Sequence, residues 1–373
     1  MVAPVGQGST NQSTGTSGHL VSLQYLRGLA ALLVVHYHAV GQVIGLAGGT
    51  ILPEIGASGV DIFFVLSGFV MWWATRDRNP VVSDFMLKRL IRIAPLYWFF
   101  TLAVAAIAVV VPHLLRATTF DGWHVVASLL FVPVWHPFIP HNVEGAIAPI
   151  MVPGWTLNLE VMFYLLFALT LRVQEARRPW TVAALLLTLY LAARTVLWPT
   201  SLRFYGTDLL AEFMAGVILG YVIDRLPRGR PRLWAGLFAL ALPAMLVMDH
   251  VRPPLIQSVT LGVPALLCVL SALQVERAGA LPRSRLLALL GDASYSIYLS
   301  HIFTIAAMRL VSRGVGLDVA IGSGVPFVLL CLAAAGAVGV AVHLLIERPM
   351  LAALNRLLRR GRRPPAAAEF AQP

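Results

Sequence analysis

Charge is scarce in this chain. Only 12% of its 373 residues are Asp, Glu, Lys or Arg, about half of the roughly 25% that a soluble domain carries. That scarcity argues against a soluble enzyme with a solvated surface. Cysteine is scarcer still: Cys268 and Cys331 are the two present, and both fall inside apolar runs. They read as small buried residues, and neither a disulfide framework nor a metal site is expected. Residues 1–18 contain no Lys or Arg and are rich in Gly, Ser, Thr and Asn. They lack the basic start of a secretory signal and are expected to form a disordered polar tail. Sustained apolar/polar alternation is missing as well, which excludes a membrane β-barrel.

What is present is apolar sequence in blocks. The chain is 58% hydrophobic, with a mean hydropathy of +0.79. Its runs have the length that crosses about 30 Å of hydrocarbon as a helix. They fall near 21–44, 58–75, 89–111, 155–171, 180–198, 208–224, 233–249, 255–275, 288–311 and 323–346. The fold class is therefore an all-α polytopic membrane protein, with about ten transmembrane helices. An eleventh stretch, 123–135, is short and contains Pro133. It is expected to be a re-entrant or surface helix on the outer side.

Net charge is +11, from 28 Lys and Arg against 17 Asp and Glu. In a soluble chain this would suggest nucleic acid, but here the basic residues lie in short loops. Cytoplasmic loops of membrane proteins collect Lys and Arg. With ten spans and a cytoplasmic amino terminus, 22 of the 28 fall inside or at an inner boundary, five outside, and Arg194 within a span. Both termini are thus expected in the cytoplasm. Residues 19–350 would form one membrane domain, and 351–373 a basic, then Pro/Ala-rich, tail.

Ionisable groups inside spans are costly and by default mark a site. The stretch "RGLAALLVVHYH", residues 27–38, carries three. Arg27 and His38 are eleven residues apart. That is three helical turns plus about 20°, so they share a face roughly 16 Å apart along the axis. His36, nine residues from Arg27, points away. His38 is favoured over His36 as the working residue. Glu160 and His301 are expected at the depth of His38, where a carboxylate and two histidines could form a base with its orienting partner or a proton relay. Arg89 and Arg92, in "KRLIRIAPLYW", share a helical face near the inner end of their span. They are either ordinary anchors or a phosphate clamp, to which the planar guanidinium fork is suited. Asp61 lies near the outer end of its span, with Ser67, Gly59 and Gly68, the glycines suiting close helix packing.

Taken together, "LQYLRGLAALLVVHYH", "GVDIFFVLSGFVM", "KRLIRIAPLYW", "VPGWTLNLEVMFYLLF", "GDASYSIYLSH" and the "ERP" of 347–349 resemble the membrane acyltransferase-3 family. The likeness covers about residues 20–350 and is nearest the exopolysaccharide O-acetyltransferase branch. The resemblance implies transfer of an acyl group, acetyl above all, from cytosolic acyl-CoA to a sugar hydroxyl of an exopolysaccharide or its lipid-linked precursor, in the bacterial inner membrane. No metal is expected. The family's first-span arginine and histidine fall on Arg27 and His38, its R-x-x-R pair on Arg89 and Arg92, and its carboxylate on Glu160. This assigns His38 and Glu160 to catalysis and Arg27, Arg89 and Arg92 to acyl-CoA binding. Asp61, Trp155 and His301 are the candidates for acceptor binding. Val161 stands where many members carry a second acidic residue, and the hydrolase-like domain fused to some members is missing. Two other readings fit the residues: the same chemistry on a small-molecule glycoside such as a macrolide sugar, and a proton-coupled secondary transporter. The second would be expected to show internal repeats, and no clear one is visible.

Overall fold

A computed structural model describes residues 20–47, 50–78, 80–112, 120–137, 147–195, 200–314 and 324–361. The proposed tail at 1–18 and the Pro/Ala-rich end, 362–373, lie outside them. Among the described residues every regular element is helical, apart from an isolated bridge between Trp135 and Ile147. In chain order the helices are α1 (Val21–Ala47), α2 (Gly59–Thr75), α3 (Val82–Val110), α4 (Gly122–Leu129), α5 (Trp155–Leu169) and α6 (Arg178–Ala193). They continue with α7 (Leu209–Val222), α8 (Pro231–Val251), α9 (Val263–Arg277), α10 (Arg285–Asp292), α11 (Ser294–Gly314), α12 (Val325–Val342) and α13 (Arg348–Gly361).

Among the described residues seven helices are long and apolar enough to cross a membrane, or eight if α10 and α11 count as one bent span. The α2 and α6 helices are apolar but shorter. Large apolar side chains such as Leu102, Val109, Leu191, Leu240 and Leu329 are exposed, as a lipid-facing surface requires. Three expected boundaries shift. The third span begins at Val82, so Arg89 and Arg92 lie within its helix. The run at 288–311 is broken by a 72° bend between α10 and α11. The basic stretch after 350 continues as helix α13 rather than as tail.

Without a hydrophobic force between helices in lipid, packing depends on close backbone approach. The α2 and α7 helices achieve it through Gly68 and Gly216. A Cβ on either would lie 2.0 Å from a carbonyl oxygen of the other helix, that of Phe213 or Val65. Beside this contact, Phe213 stacks on Phe163 at 4.0 Å and meets Phe64 edge-on at 4.6 Å, joining α5 to the pair.

Helix ends are satisfied by distant side chains, which fixes the order of packing. Glu276, at the end of α9, accepts the N–H groups of Val21 and Ser22 at 2.7 and 2.9 Å, so a carboxylate meets the positive end of α1. Asp249 of α8 accepts the N–H groups of Gly56 and Ser58, at 2.7 and 3.0 Å, just before α2. Arg178 is buried and donates to the carbonyl of Thr75 at the end of α2. Sequence alone counts it among the inner anchoring charges.

The stretch after α3 decides the depth of everything that follows. The α4 helix is eight residues long, too short to cross. It enters the bundle far enough for the indole of Trp98, in the middle of α3, to donate to the carbonyl of Leu129 at 2.8 Å. Phe131 stacks on Tyr97 at 5.0 Å. The chain turns there, with Phe131 in the left-handed region at φ 57°, and Trp135 pairs with Ile147. Residues 147–154 then run inward beside α4: the carbonyl of Ala148 accepts from His124, and the N–H of Ile150 donates to the Ser128 hydroxyl. Consequently α5 starts at mid-bundle, with Gly154 against the Tyr97 ring, and is only 15 residues long.

A polar cavity and a histidine pair

Five helices enclose a polar cavity. Arg27 reaches it from α1, Ser67 from α2, Arg89 and Arg92 from α3, and Thr156, Glu160 and Tyr164 from α5; Ser294, Tyr295 and Tyr298 close it from α11. It holds about 140 Å³ of free space. Its walls are otherwise apolar, with Phe63, Phe64, Met71 and Ile93 among them.

The polar groups hold one another. Glu160 accepts from the phenol of Tyr164, one turn on in the same helix, and from Ser67 at 3.3 Å. The Arg89 guanidinium lies 5.9 Å from the Tyr164 ring and 5.5 Å from that of Phe85. Tyr295 ties α11 to α3 by donating to the carbonyl of Ile93 at 2.6 Å. Tyr298 donates to the carbonyl of Pro153 at 2.9 Å and shares a hydrogen bond with Thr156 at 3.0 Å. Three guanidinium groups and one carboxylate line the cavity, a chemistry suited to holding an anion.

Beyond Tyr298 lies a second polar group. The rings of His38 and His301 are 5.0 Å apart, tilted by 34°. His301 is fully buried. Its Nδ1 is 2.6 Å from the carbonyl of Tyr298; a carbonyl only accepts, so Nδ1 carries the proton and Nε2 the lone pair. That Nε2 is buried with no hydrogen-bond partner in the described structure. His38 is partly exposed. Tyr298 thus borders both groups, lining the cavity and fixing the tautomer of His301.

The expected site residues therefore separate into three sets. Arg27, Arg89, Arg92 and Glu160 come together in the cavity. His38 and His301 come together beside it. Glu160 lines the cavity, where neither histidine does, and is hydrogen-bonded by Ser67 and Tyr164. The expectation of equal depth fails because α5 begins at mid-bundle, which carries Glu160 down to the arginines. His36 faces away from both groups, its Nδ1 bonded to the carbonyl of Ile55 at 2.9 Å. Asp61 is also elsewhere. It is buried, accepts from Gln257 at 3.0 Å and does not line the cavity. Trp155 packs on the main apolar core, and its neighbour Thr156 lines the cavity instead.

Several cavity residues escape a reading by motif, although helical spacing could find them. Thr156 and Tyr164 lie four residues either side of Glu160, and Tyr298 three before His301, hence on the same faces. Among the described residues, no group of three or more His, Cys, Asp or Glu side chains is placed to hold a metal ion.

A bundle of apolar helices around a polar cavity, with a histidine pair beside it, defines a class: a multi-pass membrane protein with an internal polar site. The family model described as "Acyltransferase domain" matches residues 20–346, and the chain belongs to that acyltransferase-3 family. It is 36% identical to the exopolysaccharide production protein ExoZ of Rhizobium meliloti over 83% of this chain and 91% of that protein. It is 29% identical to the acyltransferase MdmB of Streptomyces mycarofaciens, over 94% and 95% of the two chains. A further match, 28% identical, is to the peptidoglycan O-acetyltransferase OatA of Listeria monocytogenes, covering 55% of this chain and 34% of that one. No solved structure matches. The protein is an acyltransferase, and its family implies an acyl donor.

Proposed function

We propose that the protein moves an acetyl group from cytosolic acetyl-CoA to a carbohydrate hydroxyl of an exopolysaccharide or its lipid-linked precursor. The observation that carries this reading is the cavity, where Arg27, Arg89 and Arg92 converge within the bundle of an acyltransferase. The similarity to ExoZ over most of both chains supports the polysaccharide acceptor.

The anionic part of acyl-CoA binds at the Arg89 and Arg92 side, held by charge-assisted hydrogen bonds. The slim arm enters the cavity and runs past Arg27 toward Tyr298. His38, partly exposed beside that tyrosine, is the general base. It takes the proton of the acceptor hydroxyl as the oxygen attacks the thioester carbonyl. The carbon–sulfur bond then breaks, and the proton returns from His38 to the departing thiolate. His301 holds the His38 ring in place and offers its free Nε2 lone pair to the acceptor or a water. Glu160 balances the arginine charge and, through Tyr164, fixes the cavity wall.

The decisive assay incubates membranes with labelled acetyl-CoA and polysaccharide, with His38→Ala protein as control. Label on polysaccharide only with the unaltered protein is the expected result. Proton-coupled uptake into vesicles, with no acetyl transfer, would overturn the enzyme reading in favour of transport.

The same reading places the domain over residues 19–350 in the bacterial inner membrane with ten spans and both termini in the cytoplasm. The two short helices α2 and α6 and the bent α10–α11 pair complete the seven long spans to ten. A reporter fused after Arg363 should then be active only as a cytoplasmic fusion; external activity contradicts this topology.

A further inference from the structure

The "ERP" stretch at 347–349 has no part in the chemistry above, yet its glutamate is one of the most deeply placed charges in the molecule. Glu347 is 0% exposed. A buried carboxylate is costly unless it is paired and hydrogen-bonded. Glu347 has three partners. Its Oε1 lies 3.4 Å from a terminal guanidinium nitrogen of Arg92. Its Oε2 accepts from the Ser296 hydroxyl at 2.7 Å and lies 2.8 Å from Nδ1 of His343. It also lies beside the first turn of α11, where the positive end of a helix favours an anion.

The local backbone is unusual in the same place. Residues 343–347, between α12 and α13, form a π-helical turn. Such turns occur mostly as single-turn insertions, often at functional sites. The wider turn sets His343 and Glu347 side by side, and the carboxylate then reaches α3. Arg92 is the partner that differs from the others. Its side chain is 35% exposed and lines the cavity, so one side of the guanidinium meets Glu347 while another is open to a ligand.

We infer that Glu347 is a positioning residue: held by Ser296 and His343, it fixes the Arg92 guanidinium in the orientation that grips the anionic donor. The inference rests on the reading of the cavity as the acyl-CoA site. Glu347 itself touches no substrate. It acts by choosing the orientation of Arg92 before the donor arrives, which removes part of the ordering cost of binding.

The test is kinetic. Glu347→Gln keeps the shape and can still accept from Ser296, but it removes the charge. The KM for acetyl-CoA should rise about tenfold, while kcat and the KM for the acceptor stay within about twofold. In an Arg92→Ala background the same change should add less than about twofold, because its target is gone. Ser296→Ala, which loosens Glu347 without removing it, should raise the KM for acetyl-CoA by a smaller factor and serves if Glu347→Gln does not accumulate. Additive losses in the double variant, or equal rises in both KM values, overturn the inference. An Arg92→Ala protein with unchanged KM for acetyl-CoA would instead overturn the donor-site reading itself.

Discussion

Replacing His38 by alanine is expected to lower acyl transfer by about 100- to 10,000-fold, the contribution typical of a positioned general base. His36→Ala, two residues earlier, is expected to cost no more than a few-fold. The contrast comes from the helix. Eleven residues bring His38 back to the face of Arg27, whereas nine leave His36 on the opposite side. There its Nδ1 is engaged with the carbonyl of Ile55. What sets His38 apart is its partner, since its ring lies 5.0 Å from that of the buried His301. Initial rates in membranes, normalised to expression, check this. Equal losses from the two substitutions would refute the assignment by helical face.

Arg89→Ala and Arg92→Ala should each raise the KM for acyl-CoA by about ten- to a hundredfold. That range corresponds to removing a hydrogen bond to a charged group, worth about 1.5–3 kcal/mol. The KM for the acceptor should move less than about twofold. The two variants should also differ from each other. Arg92 is paired with Glu347 at 3.4 Å, so its loss leaves a buried carboxylate short of one cation, which is destabilising. Arg89 leans on the rings of Phe85 and Tyr164, and its loss leaves no such charge. Arg92→Ala should therefore show a lower melting temperature in detergent, and Arg89→Ala nearly the original one. If both arginines prove to alter only membrane topology, they are anchors and the clamp reading fails.

Much of this molecule is legible in its sequence because the bilayer is a demanding solvent. Every backbone polar group must be satisfied within the hydrocarbon, so apolar blocks of spanning length become helices. Among the described residues the apolar runs are helical, with ends moved by several residues in places and the run at 288–311 broken by the bend between α10 and α11. Periodicity within one helix is equally reliable. It places Arg27 and His38 on one face and turns His36 away, and it keeps Arg89 beside Arg92. Both are properties of a single element and need no knowledge of its neighbours.

Depth is different, since it belongs to how helices are set against one another. Counting inward from an assumed outer boundary puts Glu160 level with His38. The structure puts it with Arg27, Arg89 and Arg92, because α4 and residues 147–154 pack beside the middle of α3 and start α5 at mid-bundle. The partner of Arg92 was hidden for the same reason, since Glu347 lies more than two hundred residues away in the chain. His301 was legible beside His38, because both count to a similar depth, and their rings do meet. Asp61 has the look of a site residue in sequence, and only the packing of Gln257 against it shows where its polar group is used. The sequence by itself determined a helical membrane chain, the face each polar residue takes and the family it belongs to. Only the tertiary structure decided which polar residues meet, because helix depth and neighbour choice arise from contacts between segments far apart in the chain.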